Sequence, residues 1–233
     1  MQLTCKKLWK RHTSRLSKAY GWRFDKENTM KIIGLTGPSG AGKGLCDEYF
    51  RAVGIPCIDT DKVYHDLLIP PSQCADELAN RFGQEIRNPD QTINRQKLAS
   101  IVFSDKSGKA AKDLNAISHK YVRKKTLALL EEFRVEAKSA AVVDAPLLFE
   151  ALFDRFCDFT IAVLAEREIR AARIMKRDTL SREKADERIA AQQKDEFYRS
   201  KAKYTLYNDG EKNELFLSLA DILTKESVSL ETK

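Results

Sequence analysis

A glycine-rich segment between a predicted strand and a predicted helix constrains this chain most. Gly37 and Gly42-Lys43 satisfy the spacing G-x-x-x-x-G-K, directly after the apolar run 31–36 (KIIGLT). Glycines let successive backbone N–H groups turn toward an anion, and the helix predicted over about 43–53 adds positive charge at its start. Lys43 would then reach the β- and γ-phosphates of a triphosphate such as ATP. The predicted phosphate loop comprises Gly37, Pro38, Ser39, Gly40, Ala41, Gly42, Lys43, Gly44 and Leu45.

One position of this loop departs from the motif. Gly44 stands where the motif has Ser or Thr, whose hydroxyl ligates Mg²⁺. The next two residues, Leu45 and Cys46, supply no hydroxyl either. We therefore expect Mg²⁺ to be held by phosphates, water and a carboxylate from elsewhere in the chain.

Short apolar runs alternate with longer segments of helical period, which is typical of an α/β protein with a parallel sheet. Strands are predicted at 31–36, 55–59, 140–144 and 159–165, with a weaker fifth at 204–207. We expect a core formed by residues 30–60 and 140–225, a helical insertion at about 62–138 that covers the acceptor substrate, and a lid at about 177–192. Apolar residues recur at helical spacing within the insertion, at Leu114, Ile117, Tyr121, Leu129, Leu130 and Phe133.

Two aspartates stand where predicted strands end. Asp61 follows the second strand and Asp144 ends the third, and the carboxyl ends of parallel strands open into a ligand crevice. We interpret Asp144 as the carboxylate that acts on Mg²⁺, directly or through water, and Asp61 as a proton acceptor for a substrate hydroxyl. Helix N-capping is the alternative for both, and it is the favoured interpretation of Asp59.

Arginines are concentrated in the charged stretch 166–192. Arg173 and Arg177 are four residues apart, so they share a helical face and are predicted to close over the transferring phosphoryl group as part of a lid. For Arg170 and Arg182 we favour a solvated helical face.

The net charge of +7 belongs almost entirely to the first 29 residues, which carry eight Lys/Arg against two acids, a net +6. Because +7 less +6 leaves +1 for the remainder, we expect no nucleic-acid partner. Residues 1–29 are interpreted as an extension outside the fold, with a basic interaction arm or an organelle-targeting peptide as alternatives.

No apolar run is long enough to cross a bilayer, so no membrane partner is expected. Five cysteines without a C-x-x-C pair indicate a reducing compartment, such as the cytoplasm, and we expect a monomer.

Over about residues 31–224 the sequence resembles the dephospho-CoA kinase family. That resemblance implies a P-loop kinase fold and transfer of the γ-phosphate of ATP to the ribose 3′-hydroxyl of dephospho-CoA. The segments that carry it are Ile33-Gly34-Leu35-Thr36-Gly37, Gly54-Ile55-Pro56, Ile58-Asp59-Thr60-Asp61, Leu114-Asn115-Ala116-Ile117 with His119, Asp144-Ala145-Pro146-Leu147-Leu148-Phe149-Glu150, and Arg177-Asp178 with Ser181 through Ala191-Gln192.

The resemblance also implies roles for the matching residues. Asp61 corresponds to the catalytic base, Lys43 to the phosphate-binding lysine and Arg177 to the lid arginine. Asn208 is implied to lie near the adenine of ATP. On the same basis, the substrate side is expected to include His119, Pro146 and Leu147.

Two departures from the family keep other functions open. Pro38 through Gly44 is more similar to the loop of cytidylate or adenylate kinases, which suggests a nucleoside monophosphate kinase acting on CMP or AMP. Lys203 stands where the family commonly has an aspartate, and together with Gly44 it suggests a catalytically weak relative that binds ATP for regulation.

Overall fold

The computed structural model describes residues 30–230, and the predictions for residues 1–29 lie outside that range. Its centre is a five-stranded, all-parallel sheet with the order β2-β3-β1-β4-β5. The strands are β1 (Lys31–Thr36), β2 (Cys57–Asp59), β3 (Ala140–Asp144), β4 (Phe159–Leu164) and β5 (Tyr204–Tyr207). The predicted parallel sheet is therefore confirmed.

The second strand begins two residues later than predicted. Pro56 has no N–H to donate to a sheet ladder, although its carbonyl oxygen accepts a hydrogen bond from the N–H of Val142 at 2.8 Å. β2 is therefore a short edge strand that starts at Cys57.

Helices connect the strands and flank the sheet. None of those between residues 30 and 230 is long and apolar enough to cross a bilayer. The residues predicted at helical spacing between Leu114 and Phe133 lie in one 27-residue helix. The α-helices are α1 (Lys43–Ala52), α2 (Thr60–Asp66), α3 (Gln73–Phe82), α4 (Arg95–Ser104), α5 (Lys109–Val135), α6 (Arg167–Asp178), α7 (Arg182–Ala190), α8 (Asp195–Lys201) and α9 (Lys212–Lys225), and 3₁₀ helices span Gln84–Ile86 and Phe153–Phe156.

Apolar side chains of the sheet pack against helices on both faces. Ile33 and Leu35 of β1 are fully buried and join one core with α1 and α9, whereas their neighbour Ile32 packs into a second core beneath α5. A third core, which includes Leu78 and Leu98, holds α3, α4 and α5 together. Burial of each such side chain stabilises the fold by about 1.5–3 kcal/mol. Because both faces of the sheet are packed in this way, its strand ends are held in fixed positions.

The carboxyl ends of the three neighbouring strands are held in register. Asp144 is the Cα partner of both Leu35 and Asp59. The hydroxyl of Thr60 donates to the carbonyl oxygen of Asp144 at 3.0 Å. The polar residues at these strand ends therefore converge on one edge of the sheet.

Candidate active site

The loop between β1 and α1 is shaped by glycine. Gly42 has a φ of 101°, and a Cβ atom at this position would lie 2.0 Å from Nδ2 of Asn208. Asn208 is 2% exposed and donates from Nδ2 to the carbonyl oxygen of Ala41 at 2.8 Å. Because α1 begins at Lys43, directly after Gly42, the loop and the helix N-terminus form a backbone cradle suited to phosphate.

A cleft of about 1010 Å³ opens beside this loop. Lys43 lines it and donates from Nζ to the carbonyl oxygen of Gly37 at 3.3 Å. The cleft also collects side chains from the ends of β2 and β3, from α6 and from the segment after α7. The sequence-predicted residues that line it are Gly37, Pro38, Ser39, Gly40, Gly42, Lys43, Gly44, Leu45, Asp61, Asp144, Pro146, Leu147, Arg173 and Arg177.

Asp59 and Asp61 stand at the β2 side of the cleft. Oδ1 of Asp59 accepts hydrogen bonds from the backbone N–H groups of Asp61 and Lys62, at 2.9 and 3.0 Å. The predicted N-cap role of Asp59 is therefore confirmed. The Asp61 carboxyl does not cap this helix, whose N-cap is Asp59. Desolvation and the Asp59 carboxylate raise the pKa of Asp61, although the positive charge of Lys43 opposes the shift. A carboxylate with a raised pKa is a suitable proton acceptor.

Asp144 has an acidic neighbour that the sequence interpretation missed. Asp47 of α1 lies beside it, and burial raises the pKa of both carboxyl groups. Lys43 opposes the shift at Asp144, whereas Asp47 adds to it. Oδ1 of Asp47 and Oδ1 of Asp144 are both buried without a hydrogen-bond partner. The sequence could have indicated this neighbour, because Asp47 follows Lys43 by four residues and therefore lies on the same face of the helix.

These two orphaned carboxylate oxygens fit a hard divalent cation, which prefers oxygen ligands. Between residues 30 and 230, no three acidic, histidine or cysteine side chains converge closely enough to hold an ion by themselves. Any metal at this position must therefore take its remaining ligands from phosphate and water.

The prediction of a solvated face for Arg170 is wrong. This residue is 5% exposed. Its Nε donates to the carbonyl oxygen of Ser39 at 3.1 Å, and its second guanidinium nitrogen donates to Oε1 of Gln192 at 2.7 Å. The same Gln192 oxygen accepts a hydrogen bond from the backbone N–H of Ser39 at 3.1 Å. Helical periodicity alone does not show that this face of α6 packs under the phosphate loop. Arg182 is exposed, as predicted.

Arg173 and Arg177 lie on the face of α6 that borders the loop. Arg173 donates to the carbonyl oxygens of Gly40 and Asn208, at 3.3 and 2.9 Å. Arg177 is 59% exposed and donates to Oγ of Ser39 at 3.1 Å. Arg173 is thus tied to the backbone around the loop, while the guanidinium of Arg177 remains accessible at the cleft.

The predicted substrate residues occupy different positions. Pro146 and Leu147 line the cleft, and Leu147 is 49% exposed there. His119, on α5, does not line it; burial and the charge of Arg123 lower its pKa, while Glu150, a cleft residue, opposes that shift. Asn208 is buried under the loop rather than lining the cleft.

Lys203, one of the two departures from the family pattern, lies before β5 and forms an ion pair with Glu226. It does not line the cleft. The presence of lysine instead of aspartate at position 203 therefore does not change which residues line the cleft.

The chain is similar in sequence and in fold to known proteins. The family model described as dephospho-CoA kinase matches residues 31–214. A dephospho-CoA kinase from Lactobacillus johnsonii is 34% identical over 192 residues, which cover 82% of this chain and 96% of that protein. A Thermus thermophilus crystal structure is similar with a TM-score of 0.70 and 31% identity, over 84% of this chain and 97% of that one. A dephospho-CoA kinase structure from Campylobacter jejuni has a TM-score of 0.62 and 26% identity, over 84% and 96%.

Proposed function

The chain belongs to the dephospho-CoA kinase family, and from this premise we propose how its residues carry out the reaction. The activity is ATP-dependent phosphorylation of the ribose 3′-hydroxyl of dephospho-CoA, which gives coenzyme A and ADP. The observation that supports our assignment of roles is the convergence of Lys43, Asp61 and Arg177 in one cleft.

The phosphate loop and Lys43 hold the ATP phosphates. The N-terminus of α1, which begins at Lys43 in the lining of the cleft, favours an anion, and the Lys43 ammonium offsets the charge of the β- and γ-phosphates. Phosphoryl transfer passes through a loose transition state, so the placement of charge contributes more than covalent chemistry. Arg177, accessible beside Ser39, stabilises the charge on the transferred group. Arg173 holds the loop carbonyls in position and faces the same phosphates.

Asp61 orients the acceptor hydroxyl and accepts its proton. Asp61 is exposed at the cleft, and its raised pKa makes it a better proton acceptor than a carboxylate with its ordinary pKa. We propose that Pro146, Leu147 and His119 contact dephospho-CoA, and that Asn208 positions the loop near the adenine. The insertion at about 62–138 would cover the acceptor, and the lid at about 177–192 would exclude water.

Mg²⁺ is the metal that we propose for this site, with Asp144 as its protein carboxylate. When bound, Mg²⁺ neutralises charge on the β- and γ-phosphates. The orphaned Oδ1 of Asp144 supports the assignment. We further propose a monomeric enzyme of the cytoplasm. The free thiols of Cys46, Cys57, Cys74 and Cys157 are consistent with a reducing compartment.

A coupled assay of ADP release by the full chain tests the function. Dephospho-CoA, CMP and AMP are compared as acceptors, with Lys43→Met as the inactive control. We expect ADP release with dephospho-CoA to exceed that with either nucleotide by orders of magnitude. Release with CMP or AMP alone would instead identify a nucleoside monophosphate kinase, and release with none would indicate the regulatory alternative.

A further inference from the structure

The open space above Gly44 is bordered by a carboxylate of the same helix. Gly44 and Asp47 are three residues apart on α1, so they lie on one helical face, and both line the cleft. A Cβ atom built on Gly44 would meet no atom within 4 Å. We propose that Asp47 supplies a ligand for Mg²⁺, directly or through water, and so replaces the hydroxyl that position 44 lacks. This inference rests on the proposed kinase function.

The contacts of Asp47 leave one of its oxygens without a partner. The neighbouring Arg51 donates to the carbonyl oxygen of Cys57 at 3.0 Å, and the Cys57 thiol lies next to the backbone carbonyl of Asp47 at 3.9 Å. Oδ1 of Asp47 is buried with no hydrogen bond, as is Oδ1 of Asp144. Buried unsatisfied polar atoms are rare and cost free energy. The raised pKa of both carboxyl groups lets the pair share a proton, and a divalent cation would take the place of that proton when the nucleotide binds.

The charges around Asp47 lead to the same conclusion. Asp47, Asp59, Asp61 and Asp144 all line the cleft that holds Lys43. The Lys43 ammonium is already directed to the carbonyl oxygen of Gly37, and the ATP phosphates would bring further negative charge. Arg173 and Arg177 also line the cleft, but they belong to α6, whereas a divalent cation beside Asp47 and Asp144 would offset the repulsion between phosphates and carboxylates directly.

Two carboxylates suit the coordination that Mg²⁺ takes in phosphoryl-transfer sites. Mg²⁺ usually binds through one or two carboxylates, with phosphate oxygens and water completing six ligands. Since no three-ligand cluster exists within residues 30–230, the site forms only when a nucleotide is bound. Asp47 and Asp144 would then approach the ion from α1 and from the end of β3.

Mn²⁺ binding measured by electron paramagnetic resonance, with the non-hydrolysable ATP analogue AMP-PNP, tests this inference. Asp47→Asn keeps the shape of the side chain and removes its charge. Glu48→Gln is the matched control, because Glu48 is the next residue of α1 and pairs at the surface with Lys212 at 2.6 Å. Asp47→Ser provides a second replacement if the amide destabilises the fold, and thermal unfolding followed by circular dichroism verifies each variant.

We expect Asp47→Asn to weaken Mn²⁺ binding to the AMP-PNP complex about 10- to 100-fold, and Glu48→Gln to leave it unchanged. Metal-free AMP-PNP should bind Asp47→Asn at least as tightly as the natural chain, because a repulsive charge is gone. A purely structural role would instead weaken both. Adding Gly44→Ser to Asp47→Asn should restore much of the Mn²⁺ affinity, since the serine hydroxyl occupies open space.

Unchanged Mn²⁺ affinity in Asp47→Asn and Asp47→Ser would overturn the inference. Measurements on the natural chain distinguish that result from a failure of the proposed function. If it binds AMP-PNP with Mn²⁺ and releases ADP with dephospho-CoA, only the role of Asp47 is refuted. If it does neither, the kinase function itself fails.

Discussion

Removing the buried guanidinium of Arg170 should destabilise the protein more than removing that of the exposed Arg182, although Arg182 makes two ion pairs and Arg170 makes one. Arg170→Met keeps most of the apolar stem and deletes hydrogen bonds to Ser39 and Gln192. Its side chain is 6% exposed. Hydrogen bonds to charged groups contribute about 1.5–3 kcal/mol each, so the two bonds together predict a loss of about 3–6 kcal/mol in the free energy of unfolding.

Arg182→Met is the matched control on the adjacent helix α7. Arg182 forms ion pairs with Glu168 and Asp186, both at 2.7 Å, but its side chain is 44% exposed. Exposed pairs contribute about 0.2–1 kcal/mol each, so this variant should lose at most about 2 kcal/mol in the free energy of unfolding.

Urea unfolding followed by far-ultraviolet circular dichroism measures both variants. With a slope of about 1–3 kcal/mol/M, the midpoint for Arg170→Met should fall by about 1 M or more, and that for Arg182→Met by clearly less. The Michaelis constant for ATP should rise in Arg170→Met, because the loop loses its support at Ser39. Equal midpoint shifts in the two variants would refute the argument that burial sets the contribution of these arginines.

Three further predictions concern the cleft. Asp61→Asn should lower turnover by about 10²–10⁴-fold and alter the acidic limb of the pH–rate profile, because the raised pKa of this carboxyl means that its protonation removes activity as pH falls. The Asp144 carboxyl, whose pKa is raised to about 7, can keep a limb of its own, so only a limb identical to that of the natural chain contradicts the base role. Arg177→Ala should lower turnover while shifting stability by less than about 1 kcal/mol, since the side chain is 59% exposed; unchanged turnover contradicts its role. Gly42→Ala should abolish ATP binding measured by calorimetry, because the new Cβ atom would collide with Asn208. The control Gly44→Ala should fold normally, since its Cβ atom meets nothing, and equal ATP binding by the two variants would contradict a requirement for glycine at position 42.

The strands and the phosphate loop could be predicted from sequence because their signals are local. A buried β-branched run and a glycine spacing need no knowledge of distant residues, and β1, β3 and the loop were found where expected. The start of β2 was predicted less well, since Pro56 reads as part of the apolar run but cannot donate to the ladder. His119 was placed by resemblance alone and does not line the cleft, so its contact with dephospho-CoA stays a prediction.

The buried polar contacts were the part that sequence could not supply. Asp47 and Arg170 both lie in charged, helical stretches that look solvated, and only the packing of α1 and α6 against the loop brings them inside. A helical period identifies residues that share a face, but it does not identify what that face contacts.

The arginines of α6 illustrate how one helical face can carry both support and catalysis. Arg170, Arg173 and Arg177 follow each other at spacings of three and four, so helical spacing alone places all three on one face of α6. In the structure they differ by depth: Arg170 is buried beneath Ser39, Arg173 binds the carbonyl oxygens of the loop, and Arg177 is accessible. Because the inner two already hold loop backbone, a lid motion that repositions Arg177 can pivot on them without disturbing the phosphate cradle. Mobility within α6 should therefore increase from Arg170 toward Arg177, and ATP should protect the amide hydrogens of its C-terminal turn more than those around Arg170.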